Sequence, residues 1–404
     1  MELYLSKPGV MSCAGNNIEE LWQSVTTGNQ KNIKKVTACN GEEYFAARID
    51  DASLMPSGSR YEMKIMRIEN AALEQIKDDV EAAVAKYGAE RVAVCVGSCD
   101  NGTEFSLAGH RKYFAEEKFP ADYSLEIQGA DYVSTFVAEK FGLKGPVNTF
   151  STACSSSAGA IIKAAEMIMG GIVDAAVVGG IDIASDTTLI GFSALEAVSS
   201  EITNPFSKNR HGITLGDGAA FFVLTREPVV ESVETACATV KLLGWGESAD
   251  AYHMTSPDPS GAGAEKAIRR ALENSGVKTG DVGYINLHGT GTKFNDSMEA
   301  KAVAAIFGGD GAAKVPVSTT KPVTGHTLGA AAALEAAICW KALVENKDNN
   351  KQLPVQVWDG ERDEELPQLN IVDSKSGEVK GDLKICLSNS FAFGGANACL
   401  ILGI

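Results

Sequence analysis

Three residues in this chain have the chemistry for covalent catalysis, and each stands among small neighbours. Cys154 lies in "NTFSTACSSSAGAIIKAAEMI", where an apolar strand turns into a helix, while His288 lies in "NLHGTGTKFND" and His326 in "TTKPVTGHTLGAAAALEA". A thiol attacks as its thiolate, and a helix N-terminus favours that anion through the first-turn N–H groups and the dipole. A lone cysteine at a tight turn is otherwise an ordinary buried spacer. Histidines at strand ends are commonly structural or solvated. Two of them, each followed by small residues that leave room for a substrate, suit neutral imidazoles that donate N–H hydrogen bonds to an oxyanion or enolate. Such a donor is worth roughly 3 kcal/mol in a preorganised site.

Two charged residues flank His326: Lys321 five positions before it and Glu335 nine after it, in an alanine-rich run. An acid alone among alanines is costly to bury unless something pairs with it. The competing expectations are a surface glutamate and a buried Lys321–Glu335 network that orients His326. Near the C-terminus, Gly394 and Gly395 in "LSNSFAFGGANACLIL" permit a backbone N–H to point into a site, although a plain hairpin turn would look the same. Of the nine cysteines, Cys95 and Cys99 are the nearest to a pair, and no CxxC spacing occurs. Zinc or disulfide frameworks are therefore not expected.

The elements that must position these residues alternate between β-rich and helical stretches. "RVAVCVGS" reads as a strand, "AAEMIMGGIVDAAVVGGIDIA" as helix end, glycine turn and strand, and "GYINLHGTGT" as a strand entering a glycine turn. The pattern predicts an α/β protein with a buried sheet. An internal repeat sharpens it: "VNTFSTACSSSAGAIIKAAEMIMGG" and "VPVSTTKPVTGHTLGAAAALEAAICWKAL" both read strand, loop, small-residue helix. In register, they set Cys154 opposite His326 and Ala158, Gly159 and Ala160 opposite Ala330, Ala331 and Ala332. Two related halves sharing a central layer follow, residues 1–230 with the thiol and 231–404 with the two histidines, divided near Val230. The charged stretch 344–368 is expected to be a solvated loop.

Bulk composition narrows the function. At 404 residues and 45% hydrophobic content, the chain can bury a large core. A net charge of −16 argues against non-specific nucleic-acid binding. No apolar run approaches membrane-spanning length and no leader pattern opens the chain, so a cytoplasmic protein is expected.

Taken in order, "TACSSS", "HGTGTKFND", "KPVTGHTLGAA" and "NSFAFGGAN" closely resemble the signatures of elongating 3-oxoacyl-[acyl-carrier-protein] synthases of the thiolase superfamily (beta-ketoacyl-ACP synthase I/II-like). The likeness extends through "PGVMSCAGNNIEELWQSVTTG" and "NPFSKNRHGITLGDGAA", nearly the whole chain. It implies an α/β thiolase-like fold, with duplicated βαβαβ-type halves in a five-layer α-β-α-β-α arrangement. Most such proteins are homodimers, and specialised ones pair with a paralogous subunit in a heterodimer. The resemblance implies a catalytic set of Cys154, His288, His326 and Lys321, with Glu335 in support. It further implies an oxyanion hole from the backbone N–H groups of Cys154 and Phe393 within a gating loop of Phe391, Ala392 and Phe393. Thr290 and Thr292 would hydrogen-bond the substrate's phosphopantetheine arm, and Asn286, Glu299, Glu335 and Asn389 would hold a monovalent cation. The reaction implied is a decarboxylative Claisen condensation between an acyl group on Cys154 and malonyl carrier protein, in fatty-acid or polyene/polyketide synthesis. The enzyme would bind no cofactor of its own, because its substrates ride on the 4'-phosphopantetheine of acyl carrier protein.

An acidic carrier needs a basic landing site. "SRYEMKIMRIE" offers Arg60, Lys64 and Arg67, and "GHRKYF" offers Arg111 and Lys112. Two departures from the family pattern stand out: Ala392 where glycine is usual in the gating loop, with Ala396 replacing a threonine, and Asp100 where a small or aliphatic residue lines the acyl pocket. A carboxylate beside a saturated chain is costly. Asp100 therefore turns away, or the acyl group is short, polar or conjugated. Thiolases would need a second C-terminal cysteine, and initiating or chalcone-type synthases would carry asparagine at His326. A non-catalytic partner subunit of the chain-length-factor kind would have lost the nucleophile. No GxGxxG follows the first strand, which disfavours dinucleotide binding.

Overall fold

The computed structural model describes residues 2–228, 239–308, 312–346, 352–374, 376 and 382–404. The first-half strands are β1 (Tyr4–Leu5), β2 (Gly9–Ser12), β3 (Lys34–Thr37), β4 (Glu43–Ala47), β5 (Val92–Gly97), β6 (Val147–Phe150), β7 (Ala175–Asp182), β8 (Leu215–Gly216) and β9 (Gly218–Thr225). The second half contributes β10 (Lys241–Ala249), β11 (Tyr284–Asn286), β12 (Ala312–Ser318), β13 (Gln368–Ile371), β14 (Ile385–Phe391) and β15 (Ala396–Gly403). The changeover expected near Val230 lies outside the described residues.

Strands β5, β7 and β9 are buried along their whole length, which is why their sequences run apolar without alternation. One order is used twice: β2-β9-β7-β5-β6 in the first half and β10-β15-β14-β11-β12 in the second, with β13 added at the far edge. In each half the middle pair is parallel to its crossover neighbour and antiparallel to the returning strand, as for β5–β7 and β7–β9, or β11–β14 and β14–β15. Short β1 pairs with both β9 and β10, so hydrogen bonding runs unbroken from one half into the other.

Between the halves lie the Ser156–Met169 and Ala331–Glu345 helices, which touch each other and strands of both halves. The Lys64–Glu74 and Tyr132–Phe141 helices cover the outside of the first half, and Ala262–Ser275 and Lys293–Phe307 cover the second. Five layers result, with the small-residue helices in the middle. Their composition follows from the close approach: a Cβ on Gly180 of β7 would lie 2.7 Å from the Ser157 Cβ and 3.0 Å from the Ala330 Cα. Ala333 N–H also donates to Ser157 Oγ at 3.0 Å, tying one helix to the other.

The charged run 344–368 is not simply solvated. Leu353 is 5% and Gln356 1% exposed. The Gln356 side chain accepts from Thr319 N–H (3.3 Å) and donates to Pro205 O (3.0 Å), while Pro354 O accepts from Ser318 Oγ (2.8 Å). Buried backbone and amide groups in this stretch find partners that its composition hides. Among the described residues, no helix is long and apolar enough to cross a membrane.

Candidate active site

Cys154 sits in a single 3-10 turn, Ala153–Ser155, between β6 and the Ser156–Met169 helix, and it is 6% exposed. The turn is tight because Ala153 takes φ +51°, the left-handed region that disfavours a side chain. Ser156 Oγ steadies it, accepting from Thr152 N–H (2.9 Å) and donating to Ala153 O (2.6 Å). The second half repeats the device before its own central helix: the Leu328–Ala330 turn carries Leu328 at φ +50°. This corrects the alignment read from the repeat. Ala153 corresponds to Leu328, so Cys154 falls opposite Gly329, and His326 precedes the second turn by two residues.

His326 places Nε2 3.0 Å from Cys154 Sγ and receives Leu328 N–H on Nδ1 at 3.2 Å. Lys321 Nζ donates to His288 O at 2.5 Å, lies 3.4 Å from His288 Nδ1, and pairs with Glu335. The Lys321–Glu335 network is therefore buried, but it orients His288 rather than His326. In both imidazoles Nδ1 faces a donor, so the ring proton is assigned to Nε2. The rings stand 5.4 Å apart and nearly perpendicular, with His288 also edge-on to Phe391 at 6.1 Å.

Cys154, His288 and His326 offer ligand atoms all within 4.8 Å, a grouping with the outward look of a zinc site. Ligation through Nε2 would move each proton to Nδ1, where Leu328 N–H and the Lys321 ammonium already point. Zinc-bound histidines instead give that proton to an acceptor. The set is built to donate, not to ligate. Burial, together with the Lys321 charge, holds both imidazoles well below the ordinary histidine range, so they are neutral near pH 7. Burial pushes the Cys154 thiol up to about 11, against the pull of Lys321 and of the Phe393 N–H. Glu335 rises to about 7, chiefly by burial, with Lys321 drawing it back.

Phe393, on the C-terminal glycine loop, lines the same cavity as Cys154. That loop turns at Gly394 (φ +84°) and Gly395 (φ +77°). Ala392, at φ −110° and ψ 154°, is in extended backbone open to any residue, so it strains nothing in this conformation. Gly394 N–H donates to Met254 O (2.7 Å) and Asp250 N–H to Gly395 O (2.9 Å), while Asn397 Nδ2 donates to Asp250 Oδ1 (2.7 Å). Phe393 meets Phe192 at 5.7 Å. Cys154, both histidines, Thr290, Thr292, Phe192 and Phe393 line one cavity of about 450 Å³. Thr290 Oγ1 and Thr292 Oγ1 lie 3.1 Å apart along it.

Behind His288, the Glu299 carboxylate accepts the N–H groups of His288 (2.8 Å) and Gly289 (2.7 Å) and the Asn389 amide (3.2 Å). Burial pushes Glu299 up to about 7. Three further buried oxygens have no hydrogen-bond partner among the described residues: Asn286 Oδ1, Asn389 Oδ1 and Glu335 Oε2. Unpartnered buried acceptors are rare, and an all-oxygen set of this kind fits a hard cation.

Other expected residues lie elsewhere. Asp100 is absent from the cavity lining. Its Oδ2 accepts from Tyr132 OH (2.6 Å) and from the N–H groups of Gly102 (2.7 Å) and Thr103 (3.3 Å), so the carboxylate is engaged by its own turn and by Tyr132. Among the docking cations, Lys64 is ion-paired to Asp217 (2.8 Å) and Asp51 (3.3 Å), and Arg67 to Asp51 and Glu62 at 3.6 Å each. Both are half-buried and engaged by acidic neighbours within the chain. Arg60 is exposed but engaged by Glu126 at 3.1 Å, while Arg111 and Lys112 are exposed. One residue that sequence reasoning missed is Asp182, 1% exposed, whose Oδ2 accepts from Cys99 N–H (2.8 Å) and Gly329 N–H (2.7 Å). It clamps the turn before one central helix to the end of β5. An aspartate ending an apolar strand gives no sign of that.

A thiol in a strand-to-helix turn, faced by two Nε2–H donors at the seam of duplicated halves, defines a condensing enzyme of the thiolase-like fold. The chain belongs to the beta-ketoacyl synthase family: residues 9–229 match the beta-ketoacyl synthase N-terminal domain and residues 239–348 the C-terminal domain. It is 33% identical over 409 residues to the 3-oxoacyl-[acyl-carrier-protein] synthase 2 of Vibrio harveyi, covering 97% of this chain and 96% of that one. The same-named protein of Coxiella burnetii is 33% identical over 413 residues, covering 98% and 96%. Among solved structures, a ketosynthase in complex with its chain length factor from Xenorhabdus doucetiae superposes with a TM-score of 0.88 at 38% identity, covering 100% of this chain and 98% of that one. The ishigamide ketosynthase/chain length factor gives 0.83 at 27% identity, with the same coverage.

Proposed function

We propose that the protein condenses a Cys154-bound acyl group with malonyl carrier protein, releasing carbon dioxide and a 3-oxoacyl carrier protein. The observation that carries this reading is the convergence of two neutral Nε2–H donors on the space beside the Cys154 sulfur. The Cys154 sulfur attacks the carbonyl carbon of an acyl thioester, and the carrier thiol leaves with the proton. The backbone N–H groups of Phe393, which shares the cavity lining with Cys154, and of Cys154 itself would hold the oxyanion. Malonyl thioester then breaks its bond to the carboxylate, and the electron pair becomes an enolate whose oxygen His288 and His326 hold. The enolate carbon bonds to the acyl carbon, the bond to Cys154 breaks, and the departing thiolate takes a proton from solvent to restore the resting thiol. No step needs a cofactor bound to this chain; Thr290 and Thr292 line the path of the phosphopantetheine arm. A monovalent cation held by Asn286, Glu299, Glu335 and Asn389 would brace the His288–Gly289 turn.

Carrier protein would land near Arg111 and Lys112. A partner chain of the same fold fits the first half's open edge strand β6. The ketosynthase/chain length factor pairs among the solved structures favour a paralogous partner, with this chain, which keeps its nucleophile, as the catalytic member. Intact-protein mass spectrometry after incubation with acyl carrier proteins tests the whole. An acyl mass gained by the natural sequence and absent from Cys154→Ala supports the reading. No transfer from any donor to folded protein, alone or with a paralogue, would reject it.

A further inference from the structure

The loop after β11 runs outward through the cavity wall, and its exposure rises along the way. His288 is 1% and Thr290 5% exposed, Thr292 is half-buried, and Lys293 is exposed at the rim while still lining the cavity. The chemistry changes in the same order, from an N–H donor to two hydroxyls to an ammonium. A phosphopantetheine thioester entering this cavity carries its groups in the matching sequence: thioester innermost, amides next, and a phosphodiester anion outermost.

The other charged groups on the cavity lining leave that anion few cations. Arg210 is 5% exposed and committed to Asp363 (2.6 Å) and Ser207 O (2.7 Å). Glu196 has the wrong sign, and His211 lies exposed on a separate segment of the lining. Lys293 forms no ion pair with any described residue, and its position is fixed by Thr292, whose Oγ1 accepts from Asn295 N–H (3.3 Å) to cap the helix that Lys293 begins. An ammonium on a four-carbon stem suits a phosphate that must arrive and leave in each cycle, because it pairs as a point charge without demanding bidentate geometry.

We infer that Lys293 is a positioning residue that anchors the phosphate of the carrier's phosphopantetheine arm at the cavity mouth. This rests on the condensation reading above. It acts on binding and not on the reacting atoms, so its mark is selectivity for the phosphorylated arm. The test compares acyl-phosphopantetheine with acyl-pantetheine, which lacks only the phosphate, as donors to the whole chain, alone and with a paralogous partner. The unaltered protein should show a KM about fivefold lower for the phosphorylated donor, the scale of one exposed charge pair. Lys293→Met should bring the ratio of the two KM values close to one, and Lys293→Arg should restore it. A ratio that survives Lys293→Met, or one near one already in the unaltered protein, would overturn the anchor. Acyl transfer to Cys154 in the same assays, absent in Cys154→Ala, reports separately on the condensation reading: its presence with an unresponsive ratio overturns the phosphate contact alone.

Discussion

His326 Nε2 stands 3.0 Å from Cys154 Sγ although 172 positions separate the two residues. Each is fixed from behind, His326 by Leu328 N–H and Cys154 by the turn that Ala153 and Ser156 close. The pair spans the two halves of the duplicated fold, so the site exists only when both halves pack on the central helices. At rest the thiol is protonated and the imidazole neutral, which leaves the histidine free to donate when charge develops on substrate oxygen.

That resting state has a readable pH dependence. With the Cys154 thiol at about 11, its iodoacetamide alkylation rate should keep rising with pH through the range where an unperturbed thiol, near pH 8.5, has levelled off. Peptide mass spectrometry of timed quenches would follow it. A plateau near neutrality would show that the helix N-terminus outweighs burial.

Lys321 carries two duties that separate by measurement. Lys321→Met leaves Glu335 buried without its cation, and should cost on the order of 3–5 kcal/mol in urea unfolding. Adding Glu335→Leu should recover much of that. Because Lys321 sets the His288 tautomer, both variants should lose carbon dioxide release from malonyl carrier protein more severely than acylation of Cys154. Equal loss of both steps would remove His288 from the enolate role.

Asp100 should matter to stability and little to acyl length. Tyr132→Phe removes its 2.6 Å hydrogen bond, and Asp100→Gly leaves the Tyr132 hydroxyl buried and unpaired, at about 1–3 kcal/mol. Thermal unfolding measures the cost, and the masses of acyl groups retained on Cys154 measure selectivity. A changed length profile in Asp100→Gly would return the residue to the pocket wall.

Carrier docking should respond to Arg111 and Lys112. Charge reversal at both is expected to raise KM severalfold for carrier-borne donors without affecting N-acetylcysteamine thioesters. Lys64→Glu would instead set a second carboxylate against Asp217, which is 1% exposed, and should lower Tm. A KM rise for Lys64→Glu at unchanged Tm would reinstate the helix as the landing site.

Glu69 predicts the slope of stability with pH. It is fully buried in the Lys64–Glu74 helix, both its carboxylate oxygens lack partners, and burial holds its pKa well above the ordinary range. The folded chain thus keeps a proton that the unfolded chain loses near pH 4.3, so stability is fully present below that value and falls as pH rises toward the folded pKa. Glu69→Gln should flatten this slope, giving a larger stability gain over the natural sequence at pH 8 than at pH 5 in urea titrations. Parallel slopes would mean that Glu69 finds a partner.

The sequence by itself determined the reacting groups and the architecture. Cys154, His288 and His326 stand in runs whose small residues are required by the close packing around them, and apolar strands paired with small-residue helices encode a duplicated α/β fold. Sequence could not decide which partners those groups would face. Lys321 lies closer in the chain to His326 and yet serves His288, because its ammonium meets the His288 carbonyl and Nδ1. Cys154 aligns with Gly329 rather than His326, because the left-handed turns at Ala153 and Leu328, not the letters around them, set the register. Lys64 and Asp100 look available in the sequence, but Asp217 and Tyr132 claim them from distant elements. Residue type and local spacing fix what a group can do; hydrogen-bond partners and exposure, which come from chain segments far apart, fix what it is left free to do.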